Sequence, residues 1–299
     1  MGADHLGSSE TPVGRNNHDA YFWTYLPDGT LIAIVCDGCG GKLRREEIKI
    51  HDFKHSEVGS KIGVRVLGAL IGAELLQSAS ADGTPPNFEV VLETVRVKAI
   101  EQIRLIALAM TAQDGRLTQT IRDYFLFTAV GAIITPSQTV IFSIGDGCYA
   151  LNGKFASLGP FPGNIPPYMM YGLHGAVEYP LDSPLLRFQL HEQLSTEEVS
   201  SLMLGTDGVV DLSELSESKI PGQEKLVGPV SQFWEQESFQ KTRVAITRRL
   251  TLLNGEVHSA ASGGRVIVEP RLLRDDTTLI VVNRIQSEVP STDKKGDAQ

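Results

Sequence analysis

Three apolar runs in this chain end in the same dipeptide, Asp-Gly: IAIVCDG at 32–38, IFSIGDG at 141–147 and LMLGTDG at 202–208. A fourth phrase reverses the order, with Asp275-Asp276 leading into TTLIVV. Buried strands hold their end residues firmly, and a following glycine lets the backbone turn so that its carbonyl faces the same cavity. Carboxylates gathered at strand ends repel one another in a low dielectric unless a cation neutralises them. A donor set of oxygen alone, with no His-Cys group, points to a hard ion such as Mg2+ or Mn2+. Any single Asp-Gly is more simply a turn after a strand. The set, with paired aspartates opening the last strand, argues for a site.

The intervals between these phrases fill in the frame. Leu31–Val35 follows the turn Pro27-Asp28-Gly29 and reads as a buried strand. From Ser56 to Gln77, Val58, Ile62, Leu67, Leu70, Ile71 and Leu75 fall on a helical period. From Phe88 to Met110 that period returns, with Glu93, Arg96, Glu101 and Arg104 on the other side. Strands follow at 127–134 and 139–144, and Asn152-Gly153 marks a type I′ hairpin. Residues 159–175, with four prolines and four glycines, read as a loop outside the core. Strands are expected at 185–190, 201–206 and 279–282, and helix over about 228–253. The first dozen residues read as loose, 42–55 as a solvated mixed-charge stretch, and 285–299 as a disordered polar tail. One domain over 1–284 is the expectation, with two helices inside a largely antiparallel β framework.

Composition removes several classes. A chain of 299 residues with 41% hydrophobic content and a mean hydropathy of −0.05 is an ordinary globular one. Its apolar stretches are broken by charge well short of a membrane span. A net charge of −9 disfavours sequence-independent nucleic-acid binding and gives no long-range attraction for an anionic substrate. Three cysteines make no disulfide framework in a chain this size, and the start MGADHLGSSE has no basic-then-apolar signal segment, so the expected compartment is the cytoplasm. Cys36-Asp37-Gly38-Cys39 is formally C-x-x-C, but it ends a strand and has no second pair for zinc. No P-loop or G-x-S-x-G elbow is present, and His51, His55, His174, His191 and His258 show no ligand spacing.

Six phrases stand in a recognisable order: Asn16-Asn17-His18-Asp19, Val35–Gly41 (VCDGCGG), Phe127–Gly131 (FTAVG), Ile144–Gly147 (IGDG), Leu204–Gly208 (LGTDG) and Asp275–Thr278 (DDTT). On these the chain resembles the metal-dependent serine/threonine protein phosphatases, the PPM or type 2C family, in a bacterial-like variant and over nearly its whole length. The resemblance implies an α+β fold with a central antiparallel β-sandwich flanked by pairs of antiparallel helices. It implies hydrolysis of phosphoserine or phosphothreonine in proteins through a water bridging two Mn2+ or Mg2+ ions. Asp37 would bridge the ions, the Gly38 carbonyl would reach one, Asp207 and Asp275 would complete the other, and Asp19 would hold an ordered water. Asp123 would bind a third, weaker ion. Asp146 is structural in the family pattern. Asp276 would face away from the ions and bond nearby backbone.

Three departures from the family pattern bear on activity. His18 stands where Glu or Gln is usual and reads equally well as an exposed loop histidine. The position of the phosphate-binding arginine holds Gly14, with Arg15 one step later as its substitute. Cys39 fills a place where some relatives carry a histidine. The implied partners are phosphorylated proteins with an opposing kinase, met by a monomer without nucleic acid or membrane. The alternative is a pseudophosphatase, a module that binds a phosphoprotein or regulator without turnover.

Overall fold

The computed structural model describes residues 2–5, 17–39, 55–78, 85–111, 116–242, 244–260, 266–273 and 275–284. In chain order the strands are β1 (Gly2–His5), β2 (Ala20–Tyr25), β3 (Leu31–Gly38), β4 (Phe127–Ile134), β5 (Gln138–Ile144), β6 (Cys148–Leu151), β7 (Lys154–Ser157), β8 (Gln189–Ser195), β9 (Ser201–Gly205), β10 (Val257–Ala260), β11 (Val266–Glu269) and β12 (Thr277–Asn283). The helices are α1 (Ser56–Gln77), α2 (Phe88–Thr111), α3 (Leu117–Tyr124), α4 (Tyr171–His174), α5 (Asp207–Glu214), α6 (Gln232–Glu235), α7 (Glu237–Gln240) and α8 (Ala245–Leu253). Two antiparallel five-stranded sheets result, ordered β2-β3-β4-β5-β8 and β1-β12-β9-β6-β7, with β10-β11 a separate hairpin.

Strand alternation explains the layering. Along β3, Ile32, Ile34 and Cys36 join Leu67 and Ile71 of α1 and Leu92 and Val95 of α2 in one core cluster. Ala33 and Val35, on the opposite face, meet Leu202, Leu204 and Ile280 of the second sheet. That sheet turns Met203, Leu279 and Val281 outward onto Val209, Leu212, Phe233, Ile246 and Leu250 of α5, α6 and α8. The order is therefore helices, sheet, sheet, helices. Ile32, Leu67 and Ile71 are 0% exposed. Truncating one of them to Ala is worth about 2–5 kcal/mol.

The architecture is the expected antiparallel β-sandwich with flanking helices, and both long helices and the 127–134 strand fall where their periods place them. Asn152 (φ 51°) and Gly153 (φ 82°) make the left-handed pair that a type I′ turn needs. Four expectations are corrected. The first residues are not all loose, because Gly2–His5 pair with Thr277–Ile280 as an edge strand. The segment 159–175 is not peripheral: Met169 and Met170 are fully buried and Tyr168 nearly so, in the core beneath α1 and α2. The strand expected at 185–190 begins only at Gln189, after a 3-10 turn at Pro184–Leu186. The helix over 228–253 is three short ones, α6, α7 and α8. Residues 42–54 and 285–299 lie outside the described residues.

Candidate active site

One end of the sandwich gathers the aspartates. Asp37 closes β3 opposite Thr128 of β4, and by alternation from Ala33 and Val35 it falls on the face between the sheets. Asp19 precedes β2, Asp207 opens α5 directly after β9, and Asp275 and Asp276 lead into β12. The same alternation puts Thr206, after Leu202 and Leu204, on the inter-sheet face. Glycine is required twice here. A Cβ on Gly38 would lie 2.5 Å from the Ser56 carbonyl oxygen, and one on Gly208 would lie 2.1 Å from that of Asp276. The Asp-Gly phrases are thus points where backbones touch.

Hydrogen bonds stitch these ends across the two sheets. The Thr206 hydroxyl donates to Asp19 Oδ2 at 2.8 Å and accepts the Thr278 N–H at 3.1 Å. The His18 N–H donates to Asp276 Oδ2 at 2.7 Å, and the His18 carbonyl accepts the Gly38 N–H at 3.1 Å. The Asp19 N–H is taken by Asn17 Oδ1 at 2.7 Å, and the Asp276 N–H by Asp275 Oδ1 at 2.9 Å. From α1, the Ser56 hydroxyl donates to the Cys39 carbonyl at 2.9 Å, and the Ser60 hydroxyl donates to that of His18.

The electrostatics are those of like charges held together. Burial first, and then the charges of Asp207, Asp19, Asp275 and Asp146, push the Asp37 carboxyl well above the usual carboxylate range. Asp19 is raised by burial and next by Asp276, while hydrogen bonds with Thr206 and Asp37 pull it down. Its Oδ1 is buried without a hydrogen-bond partner. Burial, then Asp37 and Asp19, push the Cys36 thiol up, away from the lowered range of a reactive cysteine. Tyr168 lies at the same end, its phenol raised by burial and then by Cys39, to which it hydrogen-bonds.

A divalent cation fits this donor chemistry, which is oxygen only, same-signed, and includes an orphaned buried carboxylate oxygen. Among the described residues, however, no three His, Cys, Asp or Glu side chains stand close enough to form a ligand group by themselves. Asp37, Asp19, Asp207 and Asp275 do come to one end, and Asp146, set aside as structural, adds its charge to Asp37. Asp123, at the last turn of α3, accepts the Gln119 amide at Oδ1 at 2.8 Å and the His55 N–H at its main-chain oxygen. Arg15 lies outside the described residues. His18 is 8% exposed, which removes the exposed-loop reading. Sequence reasoning missed Thr206, Ser60 and Tyr168. Thr206 had a signal as the hydroxyl inside the LGTDG phrase, Ser60 lies in α1 away from every phrase, and Tyr168 lay in a segment read as a loop.

A family model described as Protein phosphatase 2C matches residues 6–245. Among solved structures the chain is similar to a bacterial serine phosphatase at 13% identity and TM-score 0.51, covering 94% of this chain and 95% of that one. It is also similar to serine/threonine phosphatase Stp1 from Staphylococcus aureus, at 15% identity and TM-score 0.46, covering 96% and 94%. The catalytic domain of the serine/threonine protein phosphatase PstP, in complex with two manganese ions, is 16% identical with TM-score 0.43, covering 95% and 96%. No curated protein sequence matches the chain. At these identities the first structure speaks for the fold, and the family model speaks for the family. The chain belongs to the protein phosphatase 2C family and is, by that membership, a protein serine/threonine phosphatase.

Proposed function

We propose that the chain hydrolyses phosphoserine and phosphothreonine in proteins, with two Mn2+ or Mg2+ ions held by Asp37, the Gly38 carbonyl, Asp207 and Asp275. The observation that carries this reading is the gathering of Asp37, Asp19, Asp207 and Asp275 at one buried end of the sandwich, where burial and neighbouring aspartates hold the Asp37 carboxyl above its ordinary range. When bound, the cations supply neutralisation of these carboxylates, an acidified water and stabilisation of charge developing on the phosphoryl oxygens. The chain's own part is positional. Thr206 fixes Asp19 Oδ2 and leaves Oδ1 to orient a water. Arg15 is assigned to the phosphate and Asp123 to a third, weaker ion. Asp123→Ala should then cut turnover several-fold while the two-ion core stays bound, and full turnover at low Mn2+ would remove that role. No covalent phosphoenzyme is required, which agrees with the upward-shifted thiols of Cys36 and Cys148.

Residues 1–284 are read as one catalytic domain, monomeric, serving phosphoproteins opposite a kinase. No helix among the described residues is long and apolar enough to cross a membrane. The cytoplasm is the proposed compartment, on the ground that Cys36, Cys39 and Cys148 form no disulfide among the described residues. A second reading, a pseudophosphatase that binds a phosphoprotein without turnover, is favoured by the lack of a closed ligand group among the described residues. A phosphothreonine peptide assayed with Mn2+, with Mg2+ and with EDTA separates the two. Turnover with metal and none in EDTA is expected. Turnover undiminished in EDTA would sink the metal mechanism, and none under any condition would establish the binding module.

A further inference from the structure

We infer that His18 is a positioning residue for the aspartate cluster, and that Glu57 of α1 is the group that fixes its ring. Its consequence for metal binding rests on the phosphatase reading, but its geometry does not. The main chain of His18 ties together three of the segments that carry the site. Its N–H donates to Asp276 Oδ2 at 2.7 Å, its carbonyl accepts the Gly38 N–H at 3.1 Å, and Asp19 is the next residue. Whatever fixes the backbone at 18 therefore fixes the relative placement of Asp19, Gly38 and Asp276.

Two groups from the start of α1 hold it. The Ser60 hydroxyl donates to the His18 carbonyl, and Glu57 Oε2 lies 3.8 Å from His18 Nε2. Both side chains of the His18–Glu57 pair are only 10% exposed. The other Glu57 oxygen lies 3.5 Å from Nδ1 of His55, whose ring stacks on Tyr124 at 5.4 Å. Burying an imidazole against a carboxylate is unfavourable unless each group serves the other, and an apolar pair would fill the same space more simply. A polar pair kept at this depth, one residue from Asp19, acts on geometry. Ser60 holds His18 by its backbone, and Glu57 Oε2 faces its ring at ion-pair distance without a hydrogen bond.

The test is hydrogen exchange read by mass spectrometry in EDTA, on wild type, His18→Ala, His18→Gln and Glu57→Ala, with Mn2+ titrations by calorimetry beside it. Both alanine variants should speed exchange about tenfold in peptides spanning 17–22 and 36–39, with α2 still at wild-type protection. His18→Gln, which keeps a side-chain donor, should restore most of that protection. The Mn2+ dissociation constant should rise about tenfold in the alanine variants, and kcat at saturating Mn2+ should change much less. Unchanged exchange at 17–22 and 36–39, or exchange raised equally along α2, would overturn the inference. If wild type neither takes Mn2+ nor hydrolyses the peptide, the phosphatase reading falls, and the exchange pattern in EDTA still decides the positioning.

Discussion

The two ends of the sandwich are built from the same strands and treat polar groups in opposite ways. At the end away from the aspartates, Asn152 Oδ1 accepts from the Ser200 N–H and hydroxyl at 2.7 and 2.9 Å, and its amide donates to the Glu198 carbonyl at 2.7 Å. Thr196 bonds Thr139 and the Thr135 carbonyl, and the Arg284 guanidinium donates to the Val199 carbonyl at 3.0 Å. An open depression of about 390 Å³ lies there, lined by Asn152, Ser200, Trp234 and Asn283, and it contains none of the site aspartates. At the other end, buried aspartates raise one another and one oxygen of Asp19 lacks a partner. The first end pairs most of its polar groups, with Trp234 Nε1 and Asn283 Oδ1 as its buried exceptions. The other holds same-signed charge in place and so gives up stability for chemistry.

The sharpest way to break this contrast is Asp37→Asn. Turnover should vanish, while the melting temperature in EDTA should rise by roughly 2–4 °C, about the shift that 1 kcal/mol gives at this size. A carboxyl with a raised folded pKa keeps its proton after the unfolded chain has lost it. Its contribution to stability therefore falls as pH rises from about 4, the ordinary carboxylate value, through the raised value. Wild type in EDTA should lose stability over that window and Asp37→Asn should lose less. A lower melting temperature for the variant would mean that the cluster is not strained.

Next in size is the pair at the start of β12. Asp275 adds its charge to Asp37, whereas Asp276 accepts the His18 N–H and acts most on Asp19. Asp275→Ala should abolish turnover, and Asp276→Asn should keep much of it, measured on the same peptide with folding checked by circular dichroism. Equal and complete loss in both would show that the two neighbours do not divide the work. Adding Mn2+ to wild type sharpens the comparison from the other side. At about 100 times its dissociation constant it should stabilise by about 2.7 kcal/mol, a rise of several degrees. Indifference to millimolar Mn2+ would favour the pseudophosphatase. The smallest effect belongs to the far end. Asn152→Ala should cost about 1–3 kcal/mol of stability and leave kcat alone, and a drop in kcat would couple the two ends.

The aspartate end of this contrast was readable in the residues before the fold was, and of the other end only the Asn152-Gly153 turn. The Asp-Gly phrases mark the site end because aspartate and glycine stop a strand in one step, and the α1 and α2 periods are long enough to identify themselves. What stayed hidden depends on partners far along the chain. Gly2–His5 carries no apolar alternation and is a strand only because β12 offers an edge. Tyr168, Met169 and Met170 sit between prolines and glycines that signal a turn, yet core space beneath the helices draws them in. The α6–α8 region mixes apolar and polar residues, and its three short helices each turn one or more apolar side chains onto the second sheet's cluster. At the site, the carboxylates were legible by type and place, whereas the Thr206–Asp19 and His18–Asp276 bonds join residues no local pattern relates.

Those two bonds also set a schedule. His18 and Asp276 are 258 residues apart in the chain, and Asp19 and Thr206 are 187 apart. A ribosome adding about 5–20 residues per second needs on the order of tens of seconds to pass from the first partner to the second. Over roughly the second half of that interval β3 can already have met β4 and β5 while the aspartate before β12 does not yet exist. On the proposed site the nascent chain is inert, because its last aspartates arrive only once β12 has been made and has paired with β9.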